Sequence, residues 1–301
     1  MLTVGLPKGL LYYRYKVVME NFLNKLNVKY VTSENSNFKI LEEGKNICID
    51  EACLSLKLFM GHVKSLENKC DVIIIPRIYS LEKGMQVCTN FNCLYDLTRN
   101  LFPNLKIIEY NIDVSHNKTE EKAFISLGKK LGFSKKASKN SYYYAKQKEH
   151  EYEENMLVKT EKKLKSNKPK ILIYGHQYNI LDSLIGKVVT KFLLKENIEI
   201  IYSYEMKKEH IIYSEEISSK VHWTMNKELL ASFMYYKDKV DGVIMISAFP
   251  CGPDSLTNEV ILRKKKDTKV LLLTFEDLNS DIAVETRIES FMDMIKGEEY
   301  V

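Results

Sequence analysis

The chain has no G-x-x-x-x-G-K-[S/T] stretch, and Gly5-Leu6-Pro7-Lys8-Gly9 does not complete G-x-G-x-x-G. No nucleotide-phosphate signature is therefore present. There is no C-x-x-C pair, the usual structural zinc pattern. No apolar run approaches membrane-spanning length, and the opening Met-Leu-Thr-Val-Gly-Leu-Pro lacks a basic region followed by an apolar core. The expectation is a cytoplasmic protein with no membrane partner. Arginine is scarce: of 45 basic residues only Arg14, Arg77, Arg99, Arg263 and Arg287 are Arg. Lysines dispersed among 40 acidic residues, with a net charge of +5, describe a solvated surface. A nucleic-acid groove favours clustered Arg, so no nucleic-acid partner is expected. In the cytosol the six cysteines should be reduced, so disulfides drop out and metal or catalytic roles compete with plain burial.

What is present points to two α/β halves. At 301 residues, with 45% hydrophobic and 28% charged residues, the chain can bury two cores. Short runs rich in Val and Ile stand at 2–6, 28–32, 71–75 and 106–110, and again at 170–174, 198–202, 242–246 and 269–273. Helix-length segments separate them, as in parallel strands with crossovers. Leu11, Val18, Phe22 and Leu26 fit one face of a helix, and Leu184, Val188, Phe192 and Leu193 or Leu194 fit another. The predicted fold is α/β, with two Rossmann-like domains that each hold a mainly parallel four-stranded sheet. The domains are expected at 1–113 and 170–301, joined by a helical linker over 114–169. Within that linker Ala145, Tyr152 and Met156 share a helical face, and Gly128 and Gly132 are expected to end a shorter helix. A hinge there would let the domains close over a crevice.

The cysteines sort by position. Cys48 and Cys70 read as small buried apolar side chains. For Cys53, Asp50 is the expected N-cap, which would place the thiol in a first helical turn where the positive helix end favours thiolate. Cys88 lies in the connection after the third strand, and Cys93 in the helix that follows. In "SAFPCGPDS" a core strand ends and Cys251 follows at once, with Gly252 allowing close backbone approach and Pro253 suited to open a helix. Cys53, Cys88 and Cys251 thus fall beyond strand ends, the edge where a doubly wound sheet presents groups to a ligand. Soft donors near helix N-termini suit a 4Fe–4S cluster, although C-x4-C matches no ferredoxin spacing and core packing stays a competing reading. His176 either donates to a ligand or acts as acid or base there, or it caps its loop together with Asn179 and Asp182. Lys57, one turn after Cys53, could balance cluster charge or simply be solvated. Trp223 reads as a packing residue.

The segments "VGLPKGLLYYRY", "DEACLSLKLFMGHV", "IIIPRI", "CTNFNCLYDL", "YGHQYNILD", "VHWTMNKELL", "AFPCGPDS" and "TRIESFMDMI" occur in this order. Together they resemble the acyl-CoA dehydratase activase-related family, akin to the subunits of 2-hydroxyacyl-CoA dehydratases such as the 2-hydroxyglutaryl-CoA enzyme. The resemblance implies an oxygen-sensitive protein with a 4Fe–4S cluster between two domains and maps the family's cysteines onto Cys53, Cys88 and Cys251. One iron would stay open to a ligand, unless Cys93, where the family has Gly, is a fourth donor. It implies low-potential electron transfer or cluster-centred reduction or elimination, and as an enzyme a dehydratase-like lyase or a cluster-dependent reductase. The implied partners are an ATP-dependent activase or other reductant protein, since no ATP-hydrolysing module is seen, an acyl-CoA or other small-molecule ligand, and a second copy as a dimer. Against this stand a non-enzymatic cluster carrier or scaffold and a cluster-free small-molecule binder. Gln177, where the family often has Pro, and Glu276-Asp277 before "LNSDIAVETR" depart from its pattern.

Overall fold

The computed structural model describes residues 2–265, 267–276 and 281–297. It divides into two compact units. One comprises residues 1–154 with 222–224, the other 155–221 with 225–301.

In the first unit β1 (Thr3–Leu6), β2 (Lys29–Thr32), β3 (Val72–Ser80) and β4 (Ile107–Asp113) pair in parallel in the order β2-β1-β3-β4. The chain winds outward from β1 to β2 and then crosses back to β3. The direction of winding therefore reverses between β1 and β3, which opens a crevice at their carboxyl ends. The strand expected at 71–75 runs on to Ser80, because Arg77, Ile78 and Ser80 keep pairing with Asn111, Ile112 and Asp113 of β4. Helix α1 (Tyr12–Lys25) buries Val18 and Phe22 against the sheet, with Leu11 and Leu26 at its two caps, as the periodicity required.

Helices α2 (Phe38–Ile47) and α3 (Leu54–Ser65) form a tight hairpin. A Cβ on Gly44 would sit 1.9 Å from the carbonyl oxygen of Lys57, and one on Gly61 would sit 1.9 Å from that of Ile40. Two backbones can approach this closely only where neither carries a side chain. Gly61→Ala should therefore force the helices apart and cost about 1–3 kcal/mol. Gly252→Ala meets nothing within 4 Å and should leave stability unchanged. Thermal unfolding of the two variants checks the contrast.

Helix α4 is Thr89–Leu101, α5 is Glu120–Lys130 and α6 is Lys135–Leu164. Gly132, at φ +92°, ends α5 as expected. Gly128 does not, since it lies inside the helix where a Cβ would meet the Ser138 side chain at 2.2 Å. On α6 Ala145 is buried, but Tyr152 is solvent-exposed, so the three-residue face expected there is not an apolar stripe.

The second unit repeats the first. Strands β5 (Lys170–Tyr174), β6 (Glu199–Tyr202), β7 (Gly242–Ala248) and β8 (Val270–Phe275) pair in the order β6-β5-β7-β8, all parallel. The repeat extends to single hydrogen bonds. Asp71 accepts from the Thr3 amide at 2.7 Å, and Asp241 accepts from the Lys170 amide at 2.7 Å. Ser33 Oγ accepts from the Lys8 amide and Ser203 Oγ from that of Gly175. Asn27 and Asn197 both stand at φ +56° just before the second strand. Helices α7 (Gln177–Ile180), α8 (Gly186–Lys195), α9 (Thr224–Tyr236), α10 (Gly252–Lys264) and α11 (Asp281–Lys296) complete the unit. The buried stripe of α8 is Ile185, Val189, Phe192 and Leu193, one position on from the expected Leu184 and Val188, and Leu194 is exposed. All seven residues of β7 are buried, which accounts for its unbroken apolar sequence.

Candidate functional site

Cys53, Cys88 and Cys251 share one local geometry: each is the N-cap of a helix. Cys53 caps α3, Cys88 caps α4 and Cys251 caps α10, all with extended ψ between 107° and 150° and with no side-chain capping bond. Asp50 is not the cap of α3. It lies in the turn before it, where its carbonyl accepts from Lys57 Nζ at 2.9 Å. In a parallel crossover the helix starts at the carboxyl edge of the sheet and runs back to the amino edge, where the next strand begins. The N-termini of α3, α4 and α10 stand at the carboxyl edge, where free amides and the helix dipole favour anionic groups. Asn90, in the first turn of α4, donates to Cys53 Sγ at 3.9 Å, so the starts of α3 and α4 adjoin.

The remaining cysteines are placed differently. Cys70 Sγ lies against β1, 2.6 Å from where a Cβ on Gly5 would be, and bonds the Leu66 carbonyl. Cys48 ends α2, and burial pushes its thiol up to about 11 even though Lys57 is near. Burial also raises the Cys70 and Cys93 thiols, so these sulfurs hold their protons. Cys93 reaches the Asn90 carbonyl, one turn into α4. All six cysteines are free and of intermediate exposure, so Cys48 and Cys70 are not the fully buried side chains expected of them. Among the described residues no group of three or more His, Cys, Asp or Glu stands close enough together to hold a metal ion. The departure noted at Glu276-Asp277 lies partly outside the described residues, at Asp277.

His176 is the N-cap of α7, just past β5, and is 5% exposed. Its Nε2 lies 2.9 Å from Asp254 Oδ1, and its ring stacks on Tyr178 at 4.9 Å. Asn226 Nδ2 donates to the same oxygen at 2.9 Å and to Thr257 Oγ1 at 3.2 Å. Burial raises the Asp254 carboxyl, but the His176 charge and hydrogen bonds from His176, Asn226 and Cys251 outweigh it and hold it below the usual carboxylate range. Asp254 and Asn226 were not singled out from the sequence. Proximity of Asp254 to Cys251 was the only available signal, since Asn226 arrives from a separate helix.

Trp223 directly precedes α9, the place that Cys53 takes before α3 in the repeat. It pairs with Gln86 in a short parallel bridge fixed by Gln86 N–H to the His222 carbonyl and Thr224 N–H to the Gln86 carbonyl, both 2.9 Å. This bridge stands two residues before Cys88. His62, on α3, is a core histidine. It is fully buried between Ser33 Oγ and Ser36 Oγ at 2.9 Å each, and burial together with Lys8 lowers it to about 3.

Fold and site together define a duplicated, doubly wound α/β protein with thiols at helix starts on the carboxyl edges of its sheets. The chain belongs to the family described as CoA enzyme activase uncharacterised domain (DUF2229), whose model matches residues 3–205. No curated protein matches it. Among solved structures it is similar to the SBP FpvC of Pseudomonas aeruginosa in complex with Ni2+, at 12% identity over 100% of this chain and 98% of that one, with a TM-score of 0.28. It is also similar to ZnuA, at 10% identity, 99% of each chain and a TM-score of 0.27. The laminin-binding adhesin of Streptococcus agalactiae is a further similar structure, at 10% identity over 99% of this chain and 100% of that one, with a TM-score of 0.29. At those values the likeness carries no information about the site. Among the described residues, no helix is long and apolar enough to cross a membrane.

Proposed function

We propose that this protein holds a 4Fe–4S cluster through Cys53, Cys88 and Cys251 and works beside a CoA enzyme as a relative of the 2-hydroxyacyl-CoA dehydratases. The observation that carries the reading is the shared helix N-cap position of these three thiols, which Cys48, Cys70 and Cys93 do not share. The donor set fits the group. Thiolates are its usual ligands, and amides at helix starts can donate to its sulfides. The open space before Gly252 leaves the start of α10 approachable.

When bound, such a cluster supplies one-electron chemistry at low potential. The chain's own residues do the rest. Cys53, Cys88 and Cys251 would supply the sulfur, and Asn90 donates toward Cys53. Lys57 is tied to the Asp50 carbonyl, so its charge is held near the turn that carries Cys53. His176 keeps Nε2 on Asp254, which leaves Nδ1 for exchange with a bound ligand. The electron donor in this reading is a separate reductant or activase protein, and an acyl-CoA or other small molecule is the ligand. Protein purified without oxygen should contain about four irons and an equal amount of sulfide per chain. Iron below one per chain after anaerobic reconstitution would return the cysteines to plain packing.

A further inference from the structure

His62 and His176 are both buried, but they are bonded differently. His62 uses both ring nitrogens, Nδ1 on Ser33 Oγ and Nε2 on Ser36 Oγ, as a packed imidazole should. His176 uses one. Its Nε2 lies 2.9 Å from Asp254 Oδ1, and among the described residues no group bonds Nδ1. Nor is Nδ1 one of the sealed polar atoms, so the little exposure that His176 keeps reaches it. The ring is held on its face by Tyr178, with centroids 4.9 Å apart. Asp254 is held in turn. Asn226 Nδ2 donates to the same oxygen at 2.9 Å and to Thr257 Oγ1, which donates to the Pro253 carbonyl.

The place of the pair matters as much as its bonding. In the order β6-β5-β7-β8 the winding reverses between β5 and β7, where a doubly wound sheet opens its crevice. His176 follows β5 and Asp254 stands in the first turn of α10, after β7, so the two turns that flank this crevice meet in one hydrogen bond. Gly175 permits the approach, since a Cβ there would lie 2.5 Å from the Ile246 carbonyl oxygen of β7. In the first turn of α10 the amides of Gly252 and Asp254 have no helical acceptor, and a Cβ on Gly252 would meet nothing within 4 Å.

We infer that His176 and Asp254 form a proton-transfer dyad, with His176 as general base toward a hydroxyl ligand and Asp254 as its positioning residue. The carboxylate accepts from Nε2–H, which puts the lone pair on Nδ1. A ligand for that atom must donate a proton, and the free amides of α10 favour one that turns anionic as it does so. Water and small hydroxyl compounds have this chemistry. With water at an ester, Nδ1 takes a proton while the water oxygen bonds to the acyl carbon. The bond to the leaving oxygen then breaks, and the proton passes to that oxygen, with no change in oxidation state. All of these groups lie in the second unit and none is a thiol, so the dyad is independent of the cluster.

The test uses metal-free protein and para-nitrophenyl acetate, with hydrolysis read as released nitrophenolate. Wild-type protein should hydrolyse the ester faster than buffer, and His176→Ala should be about 100-fold slower than wild type. Imidazole added to that variant should restore part of the rate, which a packing role would not show. Asp254→Asn should also be slow, because the amide leaves the ring in the wrong tautomer. His150→Gln, which changes an exposed histidine of α6, should keep the wild-type rate. Wild-type protein no faster than buffer, or His176→Ala as fast as wild type, would overturn the dyad. If the variants do not fold, nitrogen NMR of the wild-type ring decides: a proton on Nε2 with a bare Nδ1 supports the dyad, and a proton on Nδ1 overturns it. Iron content is measured separately, so failure of the dyad leaves the cluster reading standing, and the reverse.

Discussion

Replacing Cys53, Cys88 or Cys251 singly by Ser should strip most iron from anaerobically purified protein, while Cys48→Ser and Cys70→Ser should retain it. The expected loss is at least about tenfold for each of the three, because even indirect partners of a metal cost that much when removed. The contrast follows from place rather than from residue type. Cys53, Cys88 and Cys251 open helices at the carboxyl edges of the sheets, where uncapped amides lie within reach of a bound anion. Cys70 instead fills the space beside Gly5, and the Cys48 thiol is held protonated by burial, so neither is placed or poised to ligate. Cys93→Ser separates the remaining alternative: a fourth donor loses iron with the other three, and a packed thiol does not. Equal iron loss across all the variants would mean that the fold, and not the ligand set, had been damaged.

Lowering the pH from 6.5 toward 3 should destabilise the first unit steadily through His62. This histidine is fully buried and held near 3, whereas in the unfolded chain it titrates at its ordinary 6.5. Below 6.5 the unfolded state therefore binds a proton that the folded state refuses, and stability falls with pH across that window. The loss is about 1.4 kcal/mol per pH unit once established, or roughly 2 kcal/mol by about pH 5. Asp254 works in a lower window. Its carboxyl is depressed, so its stabilisation is complete above the ordinary 3.8 and is lost as pH falls below it. Urea unfolding at a series of pH values measures both. His62→Gln should lower stability at neutral pH, by disturbing the bonds to Ser33 and Ser36, and should flatten the slope between 6.5 and 3. A slope unchanged in that variant would assign the acid sensitivity elsewhere.

The inner strands were the most legible in the sequence, because parallel strands buried on both faces read as unbroken apolar runs. Gly242 to Ile246 is the clearest case, and the structure buries every residue of it. The stripe of α1 was equally plain, since Val18 and Phe22 face the core at helical spacing between the two caps. The buried stripe of α8 lies one residue on from the one the sequence suggests. Ile185, Val188, Val189, Phe192, Leu193 and Leu194 offer two overlapping faces, and only packing against the second unit's own sheet chooses between them. Helix starts were less legible than strands. Asp50 is the better capping residue by type, but the chain turns there and begins α3 only after Cys53.

The sequence by itself determined the α/β class, the duplication and the three cysteines beyond strand ends, because these depend on local periodicity and on turn residues beside them. The tertiary structure decided which side chains meet. That Asp254 carries His176, Asn226 and Cys251 could not be read along the chain, since His176 lies 78 residues away and Asn226 lies 28. Nor could the sequence show that His62 belongs to the core, held by Ser33 and Ser36 from the segment after β2. The repeat likewise sets Trp223 before α9 where Cys53 precedes α3, although the two residues share no chemistry. Such pairings are set by the winding order of the sheets, which brings separate turns to one edge. No local propensity encodes that order.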